Sequence, residues 1–176
     1  SLHDALPIST SKEVSYGHSI TLKASMTSGT PQTVTWKSSN TAVATVKDGV
    51  VTAKGKGTAK ITASLPNGRS AVCTVNVTAK KLPTSGYSYA STAQYTGSAI
   101  IPTVTVKDGS KVLSQNIDYR VIVTNNVKIG HANITISGMG NYYGSYSAGF
   151  DIIPAKQTIQ KLETRYKGFF VDWAQK

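Results

Sequence analysis

Eight acidic side chains, three histidines and one cysteine are all that the 176 residues offer to acid–base, nucleophilic or metal chemistry. The acids are Asp4, Glu13, Asp48, Asp108, Asp118, Asp151, Glu163 and Asp172. Hydrolysis by paired carboxylates needs two of them across one cleft, and a covalent route needs a nucleophile beside an oriented base. Asp48 and Asp108 fall in Lys-Asp-Gly turns, Asp118 precedes a strand-like run and Asp151 lies in one. No two are set up as an acid/base pair. His18 and His131 stand far apart, which is not the spacing of a zinc site. No Asp-rich calcium loop occurs. The glycines of GMGNYYG, residues 138–144, lack the strand-to-helix setting of a phosphate cradle. Cys73 alternates with Ala71, Val75 and Val77 on one face of a strand, as a small buried hydrophobe would. The expectation is a non-catalytic chain with no metal and no cofactor.

Two groups could bind rather than react. Tyr142, Tyr143 and Tyr146 could stack on sugars or form an adhesive patch. The competing reading packs Tyr142 as a structural residue at a strand end and leaves the others on a loop. Lys54, Lys56 and Lys60 in AKGKGTAK could hold an acidic wall polymer or glycan. Solvated lysines on a turn and an edge are the favoured reading of the three. Net charge is +11, with most of the excess before residue 81. Only Arg69, Arg120 and Arg165 among the 19 basic residues are arginine, so base readout of nucleic acid is not expected. No apolar run approaches the length of a membrane span.

The elements that must position these residues are strands. Period-2 alternation recurs in SITLKAS, TVTWKSS, AVATV, VVTA, TAKITAS and SAVCTVNV, separated by turn residues such as Asn67-Gly68. It resumes in IPTVTV, DYRVIVT, HANITISG and SAGFDII. Between the two series, AKKLPTSGYSYA breaks the pattern with Pro83 and Gly86. The fold class expected is all-β, as tandem immunoglobulin-like β-sandwiches.

TVKDG occurs twice, at 45–49 and 105–109. The flanks differ throughout, so the match is local convergence on one turn rather than a repeat. The first flanks carry W-x-S-S-N…A-x-V…G-x-V-x-A…G-x-A-x-I-x-A through Trp36, Ser38, Ser39, Asn40, Val43, Ala44, Val46, Gly49, Val51, Ala53, Gly57, Ala59, Ile61 and Ala63. This stretch resembles the bacterial Ig-like domain group 2 (Big2) of intimin- and invasin-type surface proteins. In that pattern the first strand should precede Glu13, so most of an edge strand is expected to be missing. The second series resembles another Ig-like repeat of Gram-positive surface proteins. Its carriers are Tyr95-Thr96-Gly97, Pro102, Asp118-Tyr119, Asn125-Asn126, Gly130, Gly138, Gly140-Asn141-Tyr142 and Gly144. The tail from Thr158, through Ile159, Leu162, Gly168, Phe170, Val171 and Trp173, resembles the opening of a fibronectin type III domain.

The expected organisation follows. Residues 1–8, SLHDALPI, resemble the conceptual translation of a sequencing adapter and stand outside the fold. Residues 12–79 form the first Ig-like domain, 80–90 a linker, 91–155 the second, and 156–176 the truncated start of a third. The resemblance implies spacer modules of a secreted or cell-surface bacterial protein, adhesin-like. The alternatives it leaves open are a module binding carbohydrate, a host surface protein or a wall polymer, and accessory domains of a secreted hydrolase. The partners it implies are glycans, host surface protein, acidic wall polymer and the neighbouring domains of the same chain.

Overall fold

The computed structural model describes residues 8–24 and 32–156, and every regular element among them is a β-strand. The adapter-like residues 1–7 and the fibronectin-like tail from 157 lie outside the described residues. The first seven strands are β1 (Ser11–Ser15), β2 (Ser19–Thr21), β3 (Thr35–Ser38), β4 (Ala44–Lys47), β5 (Val50–Ala53), β6 (Gly57–Ser64) and β7 (Ser70–Thr78). They form one sheet in the order β1-β7-β6-β3 and a facing sheet β2-β5-β4. Alternation sends Ala59, Ile61, Cys73, Val75 and Val77 inward from the first sheet, against Ala44, Val51 and Ala53 of the second. Cross-strand neighbours such as Ile61 and Cys73 are fully buried. Cys73 is thus a core residue, and burial pushes its thiol up from its usual value.

Trp36 is half-buried against this core, in register with Ala63. β1, which spans Glu13, runs parallel to β7 over five residue pairs. Ile8, the last residue of the adapter-like stretch, also packs against the first core.

Nine further strands build a second core: β8 (Lys80–Lys81), β9 (Tyr87–Ser88), β10 (Thr92–Gln94), β11 (Thr105–Asp108), β12 (Lys111–Val112), β13 (Tyr119–Thr124), β14 (Gly130–Gly138), β15 (Tyr142–Tyr143) and β16 (Ser145–Ile153). The main sheet is β10-β16-β14-β13, faced by β12-β11-β9, and β15 pairs with β8. Residues 80–90 therefore contain two short strands, both paired with elements of the second core. Phe150, Ile152, Ile134, Ile136, Val104, Val106 and Tyr119 fill that core. The Tyr119 hydroxyl donates to the Val104 carbonyl at 2.8 Å, which satisfies the polar end of a buried ring.

The two sandwiches share a rule that their sequences conceal. In each, the early edge strand runs parallel to the last strand, β1 beside β7 and β10 beside β16. The two TVKDG turns, by contrast, are built differently. In the first, Lys47 pairs with Val50, and Asp48 and Gly49 both take positive φ, at 49° and 79°. That is the type I′ requirement. In the second, the register slips by one: Asp108 pairs with Lys111, leaving Gly109-Ser110 as the turn. Asp108 becomes a strand residue, and its carboxylate is released for another use.

Candidate functional site

That use is a joint between the two cores. Tyr16, in the turn after β1, packs against both. Its ring meets Tyr142 edge-on, with centroids 5.6 Å apart and planes at 78°. The Lys111 ammonium donates to the Tyr16 hydroxyl at 2.9 Å and lies within 5.1 Å of the Tyr16 ring centre and 5.5 Å of that of Tyr142. These separations suit cation–π attraction.

Below the rings, Lys80 Nζ reaches both oxygens of Asp108, at 2.9 and 2.7 Å. The Tyr142 hydroxyl donates to Asp108 Oδ2 at 3.1 Å. The Lys80 hydrogen bond holds the Asp108 carboxyl below its ordinary value. Burial, aided by the Asp108 hydrogen bond, pushes the Tyr142 phenol up to about 12. The hydrogen bond to Tyr16 raises the Lys111 ammonium.

Backbone completes the contact. The Asn141 side-chain oxygen accepts from the Lys56 N–H at 2.7 Å, and its carbonyl accepts from the Lys80 N–H at 2.8 Å. The Leu82 N–H then donates to Tyr143 O at 2.9 Å. Gly138 lets the GMGNYYG segment fold back, since a Cβ there would stand 2.8 Å from the Tyr143 nitrogen. The segment read as a loop is a clasp: it carries β15, and β15 seizes the chain as it leaves the first core.

The sequence-predicted patch of tyrosines does not form. Successive residues of a strand point to opposite faces, so β15 turns Tyr142 inward and Tyr143 outward. Tyr142 is 2% exposed and offers a ligand no surface. Tyr146 stacks on Tyr87 of β9, with centroids 3.8 Å apart and planes at 6°. Tyr143 alone of the three is exposed, at 54%. Lys54 and Lys56 flank Gly55 in the β5–β6 turn, while Lys60 sits on the outer face of β6. All three are exposed, and no ion pair among the described residues involves them.

Sequence reading missed Tyr16, Lys80, Asp108 and Lys111, which are separated by up to 95 positions. It also missed His131, whose Nδ1 lies 2.8 Å from Asp151 Oδ1 across the β14–β16 pair. Both side chains are more than 60% exposed, so this pair is a solvated surface contact of little energy. Among the described residues no group of three or more His, Cys, Asp or Glu gathers to hold a metal. No helix among them is long and apolar enough to cross a membrane.

Two packed β-sandwiches, with strand orders of this kind and no helix among the described residues, define an immunoglobulin-like all-β protein. Within it, residues 20–66 match the family model described as intimin, immunoglobulin-like domain. A 48-residue stretch is 58% identical to lacto-N-biosidase of Bifidobacterium bifidum, spanning 27% of this chain and 4% of that protein. Among solved structures, domains 5-6 of the S-layer protein SbsC align over 88% of this chain and 99% of theirs, at 15% identity and a TM-score of 0.40. The titin fragment I67-I69 aligns over 85% of this chain and 64% of its own, at 12% identity and a TM-score of 0.31.

Proposed function

We propose that residues 12–79 and 91–155 are two immunoglobulin-like modules, the first of the bacterial group 2 type, serving as a stiff spacer in a secreted or cell-surface bacterial protein. One observation carries this reading: the first and last strands of the first sandwich run parallel. Chains paired in parallel enter at one pole and leave at the other, so modules built this way string head to tail. Tension on the chain loads the β1–β7 ladder in shear, with all its bonds sharing the force. The joint then fixes the angle between successive modules, which a free linker would not do. The intimin-type match in the first module supports a surface setting, and an adhesin-like parent fits it.

The test is to pull the chain by its ends. Two distinct unfolding steps are expected, with the first module weakened when a proline at Val14 removes a β1–β7 bond. A featureless extension would overturn the spacer reading.

A second reading makes the same modules accessory domains of a secreted glycosidase. The stretch shared with lacto-N-biosidase favours it. In that setting Tyr143 and the lysines 54, 56 and 60 are the candidate contacts for glycan or acidic polymer. Retention on heparin should fall when the three lysines become Gln, and glycan-array signal should fall in Tyr143→Ala. Unchanged behaviour in both removes these residues as ligand contacts.

A further inference from the structure

Tyr87 and Tyr146 meet in a way that ring packing alone does not favour. Their planes are 6° from parallel and their centroids 3.8 Å apart. That is an ordinary contact distance for two carbon atoms, so the rings overlap almost face to face. Aromatic pairs prefer an offset or edge-on arrangement, with centroids about 4.5–7 Å apart. Tyr16 and Tyr142 follow that preference, and Tyr87 and Tyr146 depart from it.

The fold imposes this overlap. β9 and β16 belong to the two facing sheets of the second sandwich. Tyr87 stands opposite Val106 of β11, and Tyr146 opposite Ile136 of β14. Both neighbours are fully buried, and both rings pack against the core they belong to. The Tyr87 hydroxyl is tied down by donation to the Pro83 carbonyl at 2.7 Å. Tyr89, two residues along, shares a side-chain hydrogen bond with Tyr146. Burial, and then the charge of Tyr146, raise the Tyr87 phenol above its ordinary value, so the hydroxyl ends of the pair lie near each other. Tyr87, Tyr89 and Tyr146 are all half-buried, which leaves the cluster open to solvent on one side.

We infer that Tyr87 and Tyr146 are a site of oxidative cross-linking, joined ring to ring as a dityrosine that staples the two sheets together. The co-reactant is a peroxide, delivered through a haem peroxidase. Each phenol gives one electron to the oxidant and one proton to water, leaving two phenoxyl radicals. Their unpaired electrons spread onto the carbons ortho to oxygen, in orbitals perpendicular to the rings. That is the direction in which stacked rings face each other, and the two electrons pair there as one C–C bond. Each bonded carbon then loses its hydrogen as a proton while the oxygen of its ring regains one, and both rings become aromatic again. Overall two ring C–H bonds are lost, one C–C bond forms and one peroxide is reduced to two waters. β10 to β15 all lie between the two tyrosines in the chain, so a single bond encloses most of the second sandwich. Such a loop restricts the unfolded chain as a disulfide does. Cys73 is the single cysteine, so no disulfide within the chain can take that role. The inference does not depend on the spacer reading.

The test oxidises the full chain, dilute and folded, with hydrogen peroxide and a haem peroxidase. The product is expected to run as a monomer, to have lost two hydrogens by mass and to show the blue fluorescence of a biphenol. Tryptic digestion should leave residues 82–107 joined to 129–156, and fragmentation should place the bond between Tyr87 and Tyr146. Tyr87→Phe and Tyr146→Phe each keep a ring in the stack and should each reduce this product to background. Tyr143→Phe, at the exposed neighbour, should leave it unchanged. The parent unfolded in urea should lose the product too, because the stack and not the reactivity of tyrosine makes the bond. Absence of the product from the folded parent overturns the proposal. So does a product that links only separate chains, maps to another tyrosine pair, depends on Tyr143, or survives urea or either stack variant.

Discussion

Asp108 and Tyr142 show how one residue's neighbours convert a turn motif into a contact. Tyr142 keeps its proton because it is buried and donates to a carboxylate. An unfolded tyrosine ionises near pH 10, whereas the folded one holds on to about 12. Its contribution is therefore complete below pH 10 and is lost as pH rises through that window. Tyr142→Phe should cost about 1 kcal/mol at pH 8, the value of one hydrogen bond. The gap between variant and parent should close by pH 11, measured as unfolding free energy at each pH. Asp108 has the opposite sign. Its lowered carboxyl supports the fold above the ordinary carboxylate range, and acid removes that support.

At the scale of elements, the two TVKDG hairpins make a controlled comparison. Gly49 has φ 79°, and a Cβ there would stand 2.6 Å from the Leu22 carbonyl oxygen and 3.2 Å from the Trp36 ring. Gly109 has φ 62° and open space around it. Gly109→Ala should cost about 1 kcal/mol, for the left-handed backbone alone. Gly49→Ala should cost about 2–4 kcal/mol, because overpacking adds to the same strain. Calorimetry of the two unfolding steps checks both values, and equal costs would contradict the difference in turn geometry. Trp36 reads the same event from inside: its near-ultraviolet circular dichroism should change in Gly49→Ala and not in Gly109→Ala.

The whole molecule depends on whether two cores tumble as one. Tyr16 belongs to both, and Asn141 bridges the β5–β6 turn to β8. Truncating the Tyr16 and Asn141 side chains leaves each sandwich its own buried residues while cutting the Tyr16–Tyr142 and Asn141–Lys56 contacts between them. The double variant Tyr16→Ala, Asn141→Ala should keep both folds and lose their common orientation. Amide relaxation should give one correlation time across the parent and two in the variant. A single time in both would mean that the β8–β15 pairing alone holds the angle.

Much of this was legible in the sequence, and the limit falls at a definite place. Strict alternation determined β6, β7, β14 and β16, because a strand with one face in a core must repeat every two residues. The clusters of motif residues marked turns that the backbone indeed needs. Asn125 has positive φ, Asn126 pins Ile100, and Asp118 accepts from the Ser114 N–H at 2.9 Å. The short strands β8, β9, β12 and β15 were not legible, since two residues cannot show a period. The joint was invisible for a deeper reason. Tyr16, Lys80, Asp108, Lys111 and Tyr142 follow no local pattern, and only the stacking of one sandwich on the next brings them together. The same pentapeptide serves as a type I′ turn in one place and frees an anchoring carboxylate in the other. Register, set by long-range pairing, decides between them.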